Sequence, residues 1–435
     1  MKKRSIFHLA ALVGAAFGMS SCVDMMEDAR DAAIVDPIRV AVKVNAVTGF
    51  VDSEGNGQID PNFKTSGLNV RFVNYDEDAV IGTTTDDNGI AVAEITPGNY
   101  TISVTGSVDF KGRTYYLNGA LQNKALIDDV TPEQAAASKD YSLSIRPAQV
   151  GSLCFREIFY CGSPGYYFRN QFYEIYNNGD EVYYLDNLCF AQLHPNVATS
   201  TLPEWPAEDG QNNYVYGMVV WQFPGKGQDY PLHPGESVIV AQEAANHTNN
   251  KGGTGEYALM DNSKVEFEAW SGNAQRDNAD VPNLKYVYWS GRVNTTQWLT
   301  SVFGGAFCLY QPGRKLTYGD KNYWKLGETT QHPVGSSTEY ARIPAEQILD
   351  GVELIPTSTA LNMKRIPGFV DAGAASVEEA YVNKSVCRKV IDHRSDGTPI
   401  YQDTNDSSAD FEVMMPPMLR RNGEKMPAWN QAKIQ

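Results

Sequence analysis

Two carboxylate pairs, Glu157 with Glu174 and Asp350 with Glu353, are of the residue type a glycoside hydrolase uses at a fixed oxygen separation. The chain carries 52 acidic residues, so such pairs arise readily and catalysis by either is not expected; for Glu157 and Glu174 the preferred reading is a place at strand edges, facing solvent or satisfying backbone. Beyond residue 21 the histidines are His194, His233, His247, His332 and His393. None stands in a His-x-x-x-His or Gly-x-Ser-x-Gly setting, so neither a zinc protease nor a hydrolase elbow is visible. Asn250 to Gly255 is glycine-rich but lacks the strand and helix that a phosphate loop requires. Cys154, Cys161, Cys189, Cys308 and Cys387 contain no Cys-x-x-Cys pair, which argues against structural zinc. One or two disulfides stay open, although the apolar neighbours of Cys189 and Cys308 suit buried thiols. No catalytic residue and no cofactor is expected.

Binding is the better prospect. Asp52, Glu54, Asn56, Gly57 and Asp60 have the spacing of the first part of a calcium loop. The closing acid is missing, since Phe63 holds its position, so a polar loop between strands is preferred and calcium is the alternative. Tyr286-Val287-Tyr288-Trp289 alternates, which predicts Tyr286 and Tyr288 on one face of a strand and Val287 and Trp289 on the other. Trp270, Trp298 and Trp324 fall in or beside polar stretches. Trp270, next to Ser271-Gly272-Asn273, is the candidate for an exposed anchor. Trp270, Tyr286 and Tyr288 are therefore the candidate ligand-binding residues, against the simpler reading that such rings fill a core.

The elements that would position them are strands. Ile38, Val40, Val42 and Val44 alternate with polar neighbours, Leu68, Val70 and Phe72 repeat the pattern, and Tyr100, Ile102 and Val104 do so again. Asp86-Asp87-Asn88-Gly89 and Pro97-Gly98 supply turns. A final strand is expected from Tyr141 to Ile145. The arrangement Thr85-Asp86, Gly89 and Pro97-Gly98-Asn99-Tyr100 resembles the transthyretin-like or Cna-B-like β-sandwich of carboxypeptidase regulatory segments, over residues 37–147. That resemblance implies a spacer or adhesion module. Some Cna-B-like domains form a Lys–Asn or Lys–Asp isopeptide bond, and Lys43 and Glu94 could fill two of its roles. The last strand holds no Asn, so Lys43 reads as a solvated strand residue.

From residue 148 the chain is rich in Tyr, Asn and Gly, and only Pro344 to Leu349 and Val377 to Tyr381 suggest short helices. Phe155 to Ile158, Phe172 to Glu181, Tyr184 to Leu188 and Leu232 to Ala241 resemble the opening and centre of a lamin-tail domain. Gly304 to Leu309 and Asp403-Thr404-Asn405 with Asp410-Phe411 are similar to its later segments. The likeness implies an Ig-type sandwich over residues 148–435, with long loops inserted at about 196–213, 246–284 and 315–384. The fold class expected is all-β throughout.

The first thirty residues give an address. Lys2, Lys3 and Arg4, an apolar run from Ile6 to Met19, and Ser20-Ser21-Cys22 resemble a bacterial lipoprotein signal. This implies a signal peptide over residues 1–21, lipidation of Cys22 and a tether over residues 22–36. Asp24, Glu27 and Asp28 are similar to the export tag that sends Bacteroidota lipoproteins to the outer face of the outer membrane. The formal charge is -16, and removing the basic leader makes the chain more acidic still, which excludes nucleic acid and anionic lipid headgroups as partners. Arg420, Arg421 and Lys425 read as a solvated basic tail. The whole layout resembles an uncharacterised family of Bacteroidota surface lipoproteins. It implies a non-enzymatic binding or accessory protein beside a TonB-dependent transporter, with a surface polysaccharide hydrolase (or its targeting subunit) and a structural adhesin as alternatives. The ligand stays open. Cys22→Ser is expected to move the protein from the membrane pellet to the soluble fraction; retention in the pellet would refute lipid anchoring.

Overall fold

The computed structural model describes residues 35–248 and 260–430, and these are almost entirely strand and turn. Strands between Ile38 and Ala148 pair only with one another, and so do those from Leu153 onward. In the first half, Ile38–Thr48 lies between Ile90–Ile95, antiparallel, and Ser142–Ala148, parallel. The sheet path continues through Arg113–Leu126, Gly98–Thr105 and Asn69–Asn74 to the edge strand Ala79–Thr84. The alternation expected for Val40, Val42 and Val44 puts all three in a core with Val70, Phe72, Tyr100, Ile102 and Val104. A short helix, Pro132–Ala137, buries Ala135 against this core. Lys43 is half-buried, with its ammonium donating to the Asn88 carbonyl, and Glu94 is exposed.

The second half is a sandwich of two larger sheets. One runs Phe267–Glu268, Ser237–Ala241, Phe172–Asn177, Leu153–Phe159, Ser385–Arg388, Phe411–Met414. The other runs Thr330–Gln331, Tyr340–Pro344, Tyr214–Gln222, Cys189–Leu193, Ala306–Tyr310, Ile348–Glu353, with Lys285–Trp289 also on Tyr214–Gln222. Their inner faces meet through Phe155, Tyr173, Phe190, Trp221, Trp298 and Phe307. The Tyr173 ring lies 4.8 Å from Phe307 and 5.0 Å from Phe190. Residues 315–384 are therefore not simply an inserted loop, because they supply three strands of the second sheet. Pro344 to Leu349 is a single 3-10 turn leading into the strand from Ile348, and Val377 to Tyr381 forms no helix. All five described cysteines are buried and free.

The sheets are stitched together by charge. Between Phe155 and Glu157 the register against Phe172–Asn177 skips Arg156, a bulge that brings consecutive charged side chains to one side. Arg156 there pairs with Glu157, with Glu174 at 2.6 Å and with Glu424 at 2.8 Å, all sealed from solvent. Arg388 pairs with Asp350 at 2.9 Å, Asp410 at 3.1 Å and Asp403 at 3.2 Å. The other Asp350 oxygen accepts from the Phe155 backbone N–H at 2.6 Å, so this carboxylate joins the two sheets. Glu157 and Glu174 thus lie neither in solvent nor at a strand edge, and Asp350 is equally enclosed.

The C-terminal segment is a strap, not a solvated tail. The Met418 amide donates to Glu157 at 2.9 Å, the Arg420 amide donates to Glu174 at 3.1 Å, and the Arg420 guanidinium pairs with Glu266 at 2.7 Å. Arg421 pairs with Glu157 at 3.2 Å and Lys425 with Asp396 at 2.7 Å. Arg420 and Arg421 sit where buried carboxylates need countercharge, while Lys425 and Asp396 pair in partial exposure. Removing one partner from such a cluster leaves uncompensated charge, which costs about 3–5 kcal/mol. Arg156→Met is expected to lower unfolding free energy by that amount in urea titrations and to make the C-terminal segment protease-sensitive; an unchanged midpoint would contradict the account.

Candidate functional site

An aromatic cleft lies where the two halves of the chain meet, and it begins with strand geometry. Tyr214 and Tyr216 alternate with buried Val215 at the start of Tyr214–Gln222, so both rings share the face away from that valine. His194 directly follows the strand Cys189–Leu193, and its backbone N–H donates to the Tyr216 carbonyl at 2.8 Å. Tyr340 opens the neighbouring strand Tyr340–Pro344, and Trp205 comes from the 196–213 connection. The His194 ring stacks on Tyr340 with centroids 3.9 Å apart, and Trp205 lies parallel to Tyr216. Trp205 meets Tyr340 edge-on at 5.9 Å. The cavity measures about 150 Å³ and is closed by Gln122 of the first half and by Lys364, Arg365 and Pro367.

The two halves are joined around it. Asn213 accepts from the Val51 N–H at 3.0 Å and donates to the Val51 carbonyl at 2.6 Å, and Gln122 donates to the Lys364 carbonyl at 3.1 Å. Gly368 meets the backbone of Gly119 and Ala120 so closely that a Cβ would stand 2.5 Å away. The 361–370 segment is thereby wedged between the second sheet and the first half.

The cations in and beside the cleft are held by neighbours, and the unpaired Nε atoms of Arg342 and of Arg146, which donates to Asn213, are sealed from solvent. Arg365 pairs with Glu353 at 2.6 Å and donates to the carbonyls of Pro195 at 2.7 Å and Leu354 at 3.0 Å. Lys364 donates to the carbonyls of Asp371 and Gly373 at 2.7 and 2.5 Å. Arg342 lies over the Tyr214 ring and pairs with Asp209 at 2.7 Å. Asp209 also accepts from the Tyr216 hydroxyl at 2.7 Å. By contrast, the His194 imidazole, the Trp205 indole N–H, the Tyr214 hydroxyl and the Asn212 amide bond no described residue. Burial, reinforced by Arg365, pushes the His194 pKa down to about 4, so its ring is neutral at pH 7. The cleft thus offers aromatic planes and neutral hydrogen-bonding groups.

The residues singled out from sequence lie elsewhere. Trp270 is half-buried, not an exposed anchor; its indole donates to the Asn273 carbonyl at 2.8 Å, over a cavity of about 10 Å³, room for roughly one water. Tyr286 and Tyr288 do not share a face. Tyr288 pairs with Val220 and Tyr286 with Trp221, so Val287 is the extra residue of a bulge. Tyr286 consequently packs with Trp221 and Trp289, and Tyr288 with Trp324. In the calcium-loop stretch the Asn56 side-chain amide donates to Asp52 at 2.8 Å and to Glu54 at 3.4 Å, so these three meet, while Asp60 turns to Asn62. Asp52 accepts from the amides of Glu54 and Asn56, Glu54 pairs with Lys139, and Asp60 accepts from Asn62. Among the described residues no cluster of three or more His, Cys, Asp or Glu side chains could hold a metal ion. Cys22 lies outside the described residues. The sequence names His194 only among the histidines and does not single out Trp205, Tyr214 or Tyr340, because the four come from separate segments and only the Tyr214–Tyr216 alternation hints at a shared face.

Protonating His194 links the cleft to stability. The unfolded chain takes up this proton near the ordinary value of 6.5, the folded chain only near 4, so the contribution is complete above 6.5 and fades as pH falls toward 4. Urea midpoints of the wild type should fall across that window more steeply than those of His194→Phe. Parallel curves would contradict a neutral, half-buried ring.

A family model described as a protein of unknown function, DUF4876, matches residues 233–418. The crystal structure of a DUF4876 family protein from Bacteroides thetaiotaomicron is 34% identical, with 91% of this chain and 100% of that chain covered and a TM-score of 0.59. DUF3823 family proteins from Parabacteroides merdae and Bacteroides ovatus are 8% and 12% identical, and each covers 47% of this chain. They cover 80% and 98% of their own chains, but with TM-scores of 0.15 and 0.14 they support no argument. No curated protein matches. On the identity and coverage of the Bacteroides thetaiotaomicron relative, the chain belongs to the DUF4876 family.

Proposed function

We propose that this protein is a lipid-anchored, non-enzymatic binding subunit on the outer face of the outer membrane, acting beside a TonB-dependent nutrient transporter, with the junction cleft as its ligand site. The observation that carries the reading is the cleft itself: stacked rings and unengaged neutral polar groups, held between both halves of the chain. The lipoprotein-like leader supports the surface address. The first half, similar to a transthyretin or Cna-B module, would act as a spacer; the lamin-tail-like sandwich would carry the site. The transporter is the partner that such a surface address suggests, an associational argument.

The hydrolase alternative is weakened because Glu157, Glu174, Asp350 and Glu353 are each enclosed in an ion pair and none of them lines the cleft. The adhesin alternative lacks its usual device, since Lys43 meets a backbone carbonyl and Glu94 is exposed. Purification of the lipidated protein from outer membranes in mild detergent is expected to bring down a TonB-dependent transporter in near-stoichiometric amount. Recovery of the protein alone, from membranes in which known assemblies survive, would refute the accessory role.

A further inference from the structure

We infer that the cleft takes a neutral pyranose ring, a residue of an uncharged glycan, and discriminates against acidic sugars and phosphates. The inference rests on the reading of this cleft as the ligand site and adds the class of ligand.

The argument is one of elimination by charge, followed by fit. An anionic ligand needs a cation with a spare hydrogen bond within reach, and the unpaired Nε atoms of the neighbouring Arg146 and Arg342 are shut off from solvent. Arg365 already holds the Glu353 carboxylate and two backbone carbonyls. Lys364 is buried and spends its ammonium on two carbonyls. Arg342 is held by Asp209 and by the Gly327 and Glu328 carbonyls, and Arg146 donates to Asn213. Bringing in another carboxylate would mean desolvating a charge without a partner, or taking a cation from a buried acid. The His194 ring is uncharged and supplies no substitute. A cationic ligand fares no better, because Asp209, the neighbouring acid, is occupied by Arg342 and Tyr216.

What remains free is suited to hydroxyl groups. The Trp205 N–H is a donor; the Tyr214 hydroxyl, the Asn212 amide and the neutral imidazole each donate and accept. Each sugar hydroxyl likewise donates and accepts, so mixed neutral partners satisfy it without charge. The rings of His194, Trp205, Tyr214 and Tyr216 line the cavity, and Leu193, Leu202, Pro203 and Pro367 add apolar surface for the C–H face of the sugar. At about 150 Å³ the cavity is smaller than a typical drug-sized pocket of roughly 300 Å³ or more, which suits one ring with the rest of the glycan outside.

The test uses the full chain in detergent and calorimetry with maltohexaose, cellohexaose, laminarihexaose and mannohexaose, with hexagalacturonate as the acidic probe. At least one neutral hexasaccharide should bind, with little change in affinity up to about 0.5 M salt. Trp205→Ala should weaken it by about tenfold or more, the effect of losing a main contact. Two milder variants guard against loss of folding. Tyr214→Phe removes only a hydroxyl, and Asn212→Gly removes an amide while suiting the left-handed backbone there (φ 58°). Each should cost about threefold to tenfold. Preference for hexagalacturonate, affinity that collapses with salt, or no neutral sugar bound by folded protein would overturn the inference. Sugar binding without a co-purifying transporter would support it while removing the transporter; a retained transporter with no neutral sugar bound would remove the sugar alone.

Discussion

A carboxylate sealed inside a protein must find its countercharge there, and this constraint organises the second half of the chain. Glu353 ends the strand Ile348–Glu353 with no solvent access. One of its oxygens takes the Arg365 guanidinium, and the other takes the backbone N–H groups of Arg365 and Ile366 at 2.7 and 3.0 Å. Arg365 in turn holds the Pro195 carbonyl, directly after His194. One buried ion pair thereby sets the 364–367 segment and the approach to His194, two walls of the cleft. The same rule explains the bulge at Arg156, the three aspartates around Arg388 and the course of the C-terminal strap. Such pairs add little net stability over apolar packing, but breaking one is costly, so they specify a single arrangement.

A site made at a junction is only as well defined as that junction. Asn213, Gln122 and the close approach of Gly368 to Gly119 fix the first half against the second. Val73 of the first half adds an apolar contact with Ile355, Leu361 and Ala374. With the cations neutralised in place, the cleft keeps its free hydrogen-bonding capacity in neutral groups, which is why its chemistry favours recognition by shape and hydroxyl geometry.

Much of the fold was legible as sequence. The period-two runs at Val40, Val70 and Tyr100 are strands, and the all-β class holds across the described chain. Thr131-Pro132-Glu133-Gln134 also announces a helix start, since Thr131 and Gln134 form a reciprocal cap; it passed unread because strand signals surround it. Residues 315–384 read as an insertion because their strands are short and separated by turns. The site was less legible for physical reasons. Bulges at Arg156 and Val287 break strict alternation, so faces assigned by counting come out wrong. Charged residues that look solvated by type, such as Glu157 or Arg420, are enclosed because their partners lie hundreds of positions away.

The central claim is that the cleft at the junction, and not the Trp270 loop, receives the ligand. It is tested most directly by following the seven tryptophan indole N–H signals by ¹⁵N NMR while neutral hexasaccharides are added. The account predicts that the Trp205 signal shifts and saturates while the Trp270 signal, held by Asn273, stays in place. A saturating shift at Trp270 with Trp205 unmoved would contradict it.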